Sequence, residues 1–145
     1  MNVVFTNGVY DILHRGHLEL LRACRQNFYN EARVVVGINS DASVKRLKGD
    51  FRPIHCEADR KFMLESLKWV DDVIVFEEDT PLNLIKALRP DIIVKGGDYR
   101  PQDVAGFEVC PVHIVPISVD FKNGLKYSTT ELIERAKNNL TKPQT

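Results

Sequence analysis

Residues 3–24 read VVFTNGVYDILHRGHLELLRAC. The run Val3-Val4-Phe5 has the apolar, β-branched character of a strand, and Leu18 to Cys24 repeats apolar residues at helical spacing. Between these two patterns lies a polar segment that contains Gly8 and Gly16. A strand, a glycine-bearing loop and a helix in this order predict an α/β unit with an anion site where the helix begins.

Strand and helix patterns continue to alternate along the chain. Short apolar runs are followed by longer helical patterns, which is typical of βαβ units. Most runs are too uniformly apolar to have one solvated face, so we expect a five-stranded parallel sheet with helices on both faces. The predicted strands are Val3 to Thr6, Arg33 to Ile38, Asp72 to Phe76, Ile92 to Val94 and His113 to Pro116. The predicted helices are one near Leu18 to Cys24, Arg60 to Trp69, Pro81 to Leu88 with Thr80 as N-cap, and Thr129 or Thr130 through Lys137.

Length and composition restrict the class of protein. A chain of 145 residues has the size of one domain, which we place at residues 1–140, followed by a frayed tail at 141–145. Equal numbers of basic and acidic residues, 20 each, argue against binding to nucleic acid or to a membrane surface. Three widely spaced cysteines, no room for a signal peptide before Val3 and no apolar stretch of spanning length favour the cytoplasm. We therefore expect a cytoplasmic protein that acts on small molecules.

The polar segments after the strands should meet at one edge of the sheet. Right-handed crossovers place the carboxyl ends of parallel strands together, and ligands of such folds bind there. The segments concerned are Asn7 to Gly16, Asn39 to Glu57, Lys95 to Gly106 and Ser118 to Ser128. We expect the chemistry of the protein at this edge.

His14 and His17 stand three residues apart at the start of the first helix. Gly8 would let the backbone approach a phosphate, and Gly16 would leave the helix entrance open. Nucleotidyl transfer depends mainly on positioning and charge neutralisation, because the attacking phosphate is already a nucleophile. The two imidazoles are therefore predicted to donate hydrogen bonds to charge that develops during the reaction.

Two other interpretations of this histidine pair stay open. The residues could be solvated helix positions, or they could join Asp11 in a metal site of a hydrolase. No third His or Cys at ligand spacing accompanies them, which weakens a metal centre made by protein alone.

Thr6 to His17 closely resembles the G-x-[FY]-D-x-x-H-x-G-H signature of the cytidylyltransferase-like superfamily of nucleotidyltransferases. The matching residues are Gly8, Tyr10, Asp11, His14, Gly16 and His17. Further segments look like the adenylyltransferase domain that makes ADP-activated heptose for lipopolysaccharide cores: Asn39 to Ser43, Arg46 to Asp50, Arg52-Pro53, Phe76 to Pro81 and Lys95 to Tyr99. The resemblance implies a Rossmann-like, three-layer domain in which a sugar 1-phosphate attacks the α-phosphorus of ATP and pyrophosphate leaves. It also implies Mg²⁺ held mainly by the triphosphate, and pairing into a homodimer.

The resemblance assigns roles to individual residues. His14, His17 and Lys48 would be catalytic, with Lys48 on a flexible loop that closes over the phosphates, and Arg46 and Arg52 would bind the acceptor phosphate. The nucleotide would contact Thr6, Asn7, Gly8, Asp11, Gly16, Arg60, Lys95, Gly96, Gly97, Asp98, Tyr99, Ser128, Thr129 and Thr130. Simpler interpretations are a solvated basic loop for the cations, a surface pair with Glu57 for Arg60, and an ordinary helix cap for Ser128 or Thr129.

The sequence before the final helix helps to decide whether the protein uses ATP or CTP. Cytidylyltransferases for glycerol phosphate or choline phosphate usually end in R-T-x-G-I-S-T-T, whereas this chain has Lys122 to Tyr127 before its Ser-Thr-Thr. That difference disfavours CTP. A CTP-dependent enzyme acting on glycerol 3-phosphate and a nucleotide-binding module without catalysis remain the alternatives.

Overall fold

The computed structural model describes residues 1–116, 124 and 127–141. Its centre is a sheet of five parallel strands in the order β3-β2-β1-β4-β5. The strands are β1 (Asn2–Gly8), β2 (Ala32–Asn39), β3 (Asp72–Phe76), β4 (Ile92–Gly96) and β5 (Val112–Val115). The predicted parallel sheet is confirmed: β3 has its predicted bounds, and the other four strands differ from their predicted runs only at the ends.

Helices connect the strands and extend the chain. They are α1 (Arg15–Gln26), α2 (Asp41–Lys48), α3 (Glu57–Glu65), α4 (Leu82–Leu88) and α5 (Thr129–Thr141), with a 3₁₀ turn at Pro101–Asp103. Helix α3 stops before the predicted Trp69, because the Leu67 and Val70 amides each bond to the carbonyl three residues back, Leu64 and Leu67, at 3.1 Å, and the α-helical pattern is not continued. At α4 the cap position is held by Pro81, not by Thr80, and no side chain caps the helix.

Helix α2 corrects the prediction of a flexible loop after the second strand. The Ser40 hydroxyl accepts a hydrogen bond from the Ser43 amide at 3.1 Å and caps the helix start. Gly49, with φ of 99°, ends the helix in a backbone conformation that other residues rarely adopt. Lys48 is therefore the last residue of a helix.

Each face of the sheet carries its own apolar cluster. On one face Val4 and Val34 pack with Leu21 of α1, in a cluster that also includes Leu64 of α3. On the other face lies a cluster of Phe5, Val35, Ile85, Ile93 and Val104, in which Ile85 comes from α4. Neighbouring residues of one strand therefore point into opposite layers, and the predicted three-layer α/β fold is confirmed.

The strand order reverses beside β1, which has β2 on one side and β4 on the other. Ligands of open parallel sheets bind in the crevice outside the carboxyl ends of the strands at such a point. Of the predicted edge segment Ser118 to Ser128, residues 118–123 and 125–126 lie outside the described part of the chain, as do residues 142–145 of the predicted tail. No described helix is long and apolar enough to cross a bilayer.

Candidate active site

Two cavities open at the carboxyl edge of the sheet, and His17 lines both of them. The first, called here the polar cavity, has a volume of about 450 Å³. Its walls are Asn7, Gly8, Val9, Tyr10, Asp11, His17, Asn39, Leu47, Lys48, Arg52, Asp79, Lys95, Tyr99, Ser128, Thr129 and Thr130. The second, called the apolar cavity, has a volume of about 390 Å³ and is lined by His14, Gly16, His17, Glu19, Leu20, Gly96, Val115 and Pro116.

Most residues that the sequence assigned to a site therefore lie in one place. The exceptions, which line neither cavity, are Thr6, Arg46, Arg60, Gly97 and Asp98. Thr6 is fully buried within β1.

Backbone hydrogen bonds fix the orientation of both imidazoles. His14 caps helix α1, and its Nδ1 accepts from the Gly16 amide at 3.1 Å. The Nδ1 atom of His17 accepts from the His14 amide at 3.2 Å. In a neutral imidazole one ring nitrogen accepts and the other carries the proton, so each ring presents Nε2–H as a donor.

Burial keeps both rings uncharged, and the proximity of His14 adds to this effect on His17. Their centroids lie 3.7 Å apart with 26° between the planes. Burial lowers the pKa of His14, while burial followed by the proximity of His14 lowers the pKa of His17 to about 3. The pair is therefore neutral near pH 7 and acts by donating hydrogen bonds.

Aromatic side chains flank the histidine pair at both ends. The Tyr10 ring lies 5.0 Å from that of His17, and the Tyr127 ring lies 6.1 Å from that of His14. A side chain at Gly16 would bring its Cβ within 3.0 Å of both the His14 ring and the Tyr127 Cβ. Glycine at this position therefore leaves room for the stack.

Asp11 binds the segment that follows α2. Its carboxylate accepts from the Ile54 and His55 amides, at 2.8 and 2.9 Å, and from Arg52 Nε at 2.9 Å. Burial alone would raise the pKa of Asp11, but these hydrogen bonds from His55, Ile54 and Arg52 outweigh it and the pKa is lowered.

These contacts bear on the metal-hydrolase interpretation. The Asp11 carboxylate is already occupied, and within the described residues no three His, Cys, Asp or Glu side chains gather into a possible metal site. The arrangement therefore disfavours a hydrolase built on Asp11, His14 and His17.

The cations predicted to lie on a basic loop occupy different positions. Lys48, exposed at the end of α2, and Arg52, whose side chain is only 14% exposed, line the polar cavity. Arg46 instead pairs with Asp79, with Nε and Oδ1 2.9 Å apart, and also donates to the Glu77 carbonyl. The solvated-loop interpretation therefore does not apply to Arg52.

Arg60 was expected to contact the nucleotide or to pair with Glu57 at the surface, and the structure shows different surroundings. Its side chain is fully buried, so the alternative of a surface pair with Glu57 is wrong. Its guanidinium donates at 2.8–3.0 Å to four acceptors on three segments: the carbonyls of Val9, Asn39 and His55 and the carboxylate of Asp41, which lies two residues after Asn39. Because these partners use four of its five N–H groups, Arg60 is better suited to hold the site together than to contact a nucleotide.

Lys95 lies at the point where the strand order reverses. It stands near the end of β4, and its Nζ donates to the carbonyl of Asn7 on β1 at 3.1 Å. The same nitrogen lies 5.6 Å from the centre of the Tyr99 ring. Burial lowers the pKa of Lys95 to about 8.

The start of α5 completes the polar cavity. The Thr129 hydroxyl donates to the Ile12 carbonyl at 3.0 Å, which ties this helix to the segment after β1. The Ser128 hydroxyl accepts from the Glu131 amide at 3.4 Å, as a helix cap does. The remaining amides of the first turn are suited to an anion.

Sequence reasoning did not assign three residues that contribute to the site. Asp79 and Asn39 line the polar cavity, and Tyr127 flanks His14. Asp79 and Asn39 could have been found, because each lies at or just after the carboxyl end of a predicted strand. Tyr127 directly precedes Ser128, which was assigned to the site, but nothing in the sequence indicates its contact with His14.

Comparisons with known proteins agree with this geometry. The family model described as cytidylyltransferase-like matches residues 5–135. Bifunctional protein HldE of Helicobacter pylori (strain Shi470) is 51% identical over 135 residues, which cover 93% of this chain and 27% of that protein. Bifunctional protein HldE of a Nitratiruptor species is 49% identical over 134 residues, with 92% and 27% covered. The chain thus spans about a quarter of the length of these curated relatives, and the resemblance inferred from sequence is confirmed.

Solved structures support the same fold. The lipopolysaccharide core biosynthesis protein from Thermoplasma volcanium GSS1 aligns with a TM-score of 0.62 at 29% identity, covering 88% of this chain and 99% of that one. Pantoate-beta-alanine ligase from Francisella tularensis aligns with a TM-score of 0.65 at 15% identity, covering 94% of this chain and 69% of that one. At 15% identity, the similarity to the pantoate-beta-alanine ligase is evidence for the fold alone.

Proposed function

The chain belongs to the cytidylyltransferase-like family, and we propose that it transfers AMP from ATP to a heptose 1-phosphate or a similar sugar 1-phosphate, with release of pyrophosphate. The observation that carries this proposal is the position of His17. Its Nε2–H donor belongs to a ring that lines both the apolar cavity and the polar cavity. A donor that reaches both cavities can contact the α-phosphoryl group of ATP when the nucleobase occupies one cavity and the sugar phosphate occupies the other.

The two cavities suit different parts of the substrates. Leu20, Val115, Pro116 and the open backbone at Gly96 give the apolar cavity the surfaces that a flat nucleobase requires. Lys48, Arg52, Lys95 and the start of α5 give the polar cavity the cations and amides that phosphates require.

The proposed reaction is an in-line displacement at the α-phosphorus. An oxygen of the sugar phosphate forms the new bond to phosphorus, and the bond to the oxygen that bridges the α- and β-phosphorus breaks. Negative charge grows on the α-phosphoryl oxygens and on the leaving pyrophosphate, where His14 and His17 donate from Nε2. No general base is required, because the attacking phosphate is already ionised.

The residues present fit Mg²⁺ that is held mainly by the triphosphate. Of the carboxylates that line the polar cavity, Asp11 is occupied by hydrogen bonds, and Asp79 is half exposed beside Arg46. Asp79 is the side chain that could join the metal's ligand shell. When bound, the ion would neutralise charge on the phosphates.

The acceptor is inferred from similarity. The HldE proteins and the lipopolysaccharide core biosynthesis protein are the relatives that favour a sugar phosphate of this class. An enzyme that uses ATP in this way would act in the cytoplasm. Pairing into a homodimer belongs to the same proposal, and sedimentation velocity would test it.

Pyrophosphate release tests the function. ATP and CTP are each offered with heptose 1-phosphate and with glycerol 3-phosphate, in the presence of Mg²⁺. We expect turnover with ATP and heptose 1-phosphate. Turnover with CTP alone would contradict the adenylyl assignment, and ATP binding by calorimetry without turnover on any acceptor would indicate a binding module.

A further inference from the structure

Tyr10 has a backbone conformation that residues with a side chain rarely adopt. Its φ is 51°, in the left-handed region. Among the described residues, Arg89 is the only other non-glycine residue with a positive φ, and it lies at the end of α4, where helices commonly adopt this conformation. Tyr10 lies between β1 and α1, where no helix end accounts for it. Because such residues persist where the surrounding structure holds them, and cluster at functional sites, the contacts of Tyr10 indicate what its conformation is for.

The residues on both sides of Tyr10 are held by other segments. The carbonyl of Val9 accepts a hydrogen bond from Arg60 Nη1 at 2.9 Å. The Asp11 carboxylate accepts from Arg52 and from two backbone amides of the segment between α2 and α3. A return of Tyr10 to an ordinary conformation would disturb these hydrogen bonds. Arg60 and Asp11 thus fix the direction in which the Tyr10 side chain leaves the backbone.

The Tyr10 ring is directed into the protein and lies against His17. The residue is 3% exposed and belongs to the apolar cluster that contains Leu21 and Cys24 of α1. The centroids of the Tyr10 and His17 rings lie 5.0 Å apart, with 49° between the planes, a separation at which aromatic rings interact. A Cβ atom at Gly8 would lie 3.0 Å from the Tyr10 ring, so glycine at this position leaves room for it. Backbone and packing together place the ring beside the imidazole.

The hydroxyl group of Tyr10 does not explain the position of the ring. The Thr6 hydroxyl lies nearby, but both oxygens are buried and neither has a hydrogen-bond partner among the described residues. A buried hydroxyl without a partner costs free energy and contributes nothing to orientation. The ring itself is therefore the part of Tyr10 that acts on its surroundings.

We propose that Tyr10 is a positioning residue, whose ring keeps the His17 imidazole in the orientation that directs Nε2–H toward the reacting phosphoryl group. The hydrogen bond from the His14 amide to His17 Nδ1, at 3.2 Å, determines which nitrogen carries the proton. A single hydrogen bond still lets the imidazole tilt, and contacts with the rings of His14 and Tyr10 restrict that motion. The inference rests on the proposed function only for the identity of the group that His17 contacts.

Three substitutions of Tyr10 and one matched control test the proposal. Tyr10→Phe keeps the ring without its hydroxyl, while Tyr10→Leu and Tyr10→Met keep an apolar side chain without the ring. Should Tyr10→Leu fail to fold, Tyr10→Met, whose flexible side chain fills irregular space, supplies the same comparison. The control is Tyr29→Leu, because Tyr29 packs against the same apolar cluster but lines neither the polar nor the apolar cavity.

The first measurement is the side-chain nitrogen NMR spectrum of His17 in isotope-labelled protein, which does not require turnover. In the wild type we expect one set of resonances, with Nδ1 unprotonated and Nε2 protonated. Tyr10→Phe and Tyr29→Leu should keep this pattern. In Tyr10→Leu and Tyr10→Met the two nitrogen shifts should move toward each other, because a less restricted ring loses its hydrogen bond to the His14 amide part of the time and exchanges between tautomers.

The second measurement is kcat, together with ATP affinity by calorimetry. Tyr10→Leu and Tyr10→Met should lower kcat by about 10-fold and leave ATP affinity within a few-fold, since a misdirected donor weakens mainly the interaction with developing charge. Tyr10→Phe should keep the wild-type kcat. Tyr29→Leu should lower the unfolding temperature and change neither kcat nor ATP affinity.

Three results would overturn the proposal. In the first, Tyr10→Leu and Tyr10→Met unfold at a lower temperature, as Tyr29→Leu does, but keep the wild-type resonances of His17, so that Tyr10 is only part of the core. In the second, the resonances change while kcat stays at the wild-type value, so that the orientation of His17 does not matter to the reaction. In the third, Tyr10→Phe loses as much kcat as Tyr10→Leu, so that the hydroxyl is the group that acts.

The NMR spectrum also separates this proposal from the proposed function. A protein that never turns over ATP, but whose His17 resonances change in Tyr10→Leu and not in Tyr10→Phe, would support the positioning role of Tyr10 while the proposed function fails.

Discussion

The histidine wall of the site differs from its cationic wall. The histidine wall is His14 and His17 at the start of α1, where each ring is fixed by a backbone amide and by its neighbour. The cationic wall is Lys48 and Arg52, of which Lys48 is exposed at a helix end. The first wall holds its donors in place before substrate arrives, which suits the stabilisation of a transition state. In the second wall Lys48 can adjust, which suits the capture and screening of phosphates, whereas Arg52 is held by Asp11.

Replacing His17 should have the largest effect. We expect His17→Ala to lower kcat by about 100-fold or more and to leave nucleotide affinity within a few-fold, because a fixed donor acts on charge that develops later. Steady-state kinetics and calorimetry measure the two quantities. His113→Ala, at an exposed histidine outside both cavities, is the control. An equal loss of binding and of kcat would make His17 a phosphate clamp and remove the distinction between the walls.

Lys48→Ala should have a smaller effect, on the order of 10-fold, mainly on kcat, if the end of α2 moves toward the phosphates in the reacting complex. Lys45→Ala, on the same helix but outside the cavity lining, is the matched control. If the two variants show equal activity, Lys48 is a solvated surface lysine, as one interpretation of the sequence proposed.

Asp11 should act through Arg52, since the two side chains share an ion pair at 2.9 Å. Asp11→Asn keeps an oxygen for the Ile54 and His55 amides but loses the charge that orients Arg52. We expect about a 10-fold rise in KM for the sugar phosphate with kcat less affected.

A double-mutant cycle provides the control for this pair. In an Arg52→Ala background, Asp11→Asn should add little to the KM of the sugar phosphate. Full additivity of the two changes would mean that Asp11 does not work through Arg52.

The last expected effect is on stability as a function of pH. His17 has a pKa of about 3 in the fold, against an ordinary pKa of 6.5 in the unfolded chain. Between these values the unfolded chain binds the additional proton, so the contribution of His17 to stability is complete above 6.5 and is lost as the pH falls toward 3.

Thermal unfolding of the wild type and His17→Gln across this range measures that contribution. The difference between the two proteins should shift against the wild type as the pH falls. A pH-independent difference would show that the ring is not held neutral.

The sequence predicted the histidine wall better than the cationic wall, for physical reasons. Strand β1, the polar segment after it and α1 are consecutive, so local patterns specify them. Helix α2 is short and mostly polar, and although Ser40 and Gly49 are suitable cap residues, its weak apolar periodicity looks like a loop.

Long-range contacts were beyond the reach of sequence patterns. Arg60 meets carbonyls from three separate segments, and Asp11 meets Arg52 across 41 positions. Only the folded chain brings such partners together, which is why the sequence could name Arg60 and Arg52 but not what they bind.

The most direct test of the account follows the phosphorus atoms of ATP. The protein is incubated with Mg²⁺, heptose 1-phosphate and ATP that carries radioactive phosphorus at either the α or the γ position, and the products are separated. Transfer of AMP predicts that the α label appears in the sugar nucleotide and the γ label in pyrophosphate. A γ label on the sugar, or an α label that stays in a free nucleotide, would contradict it.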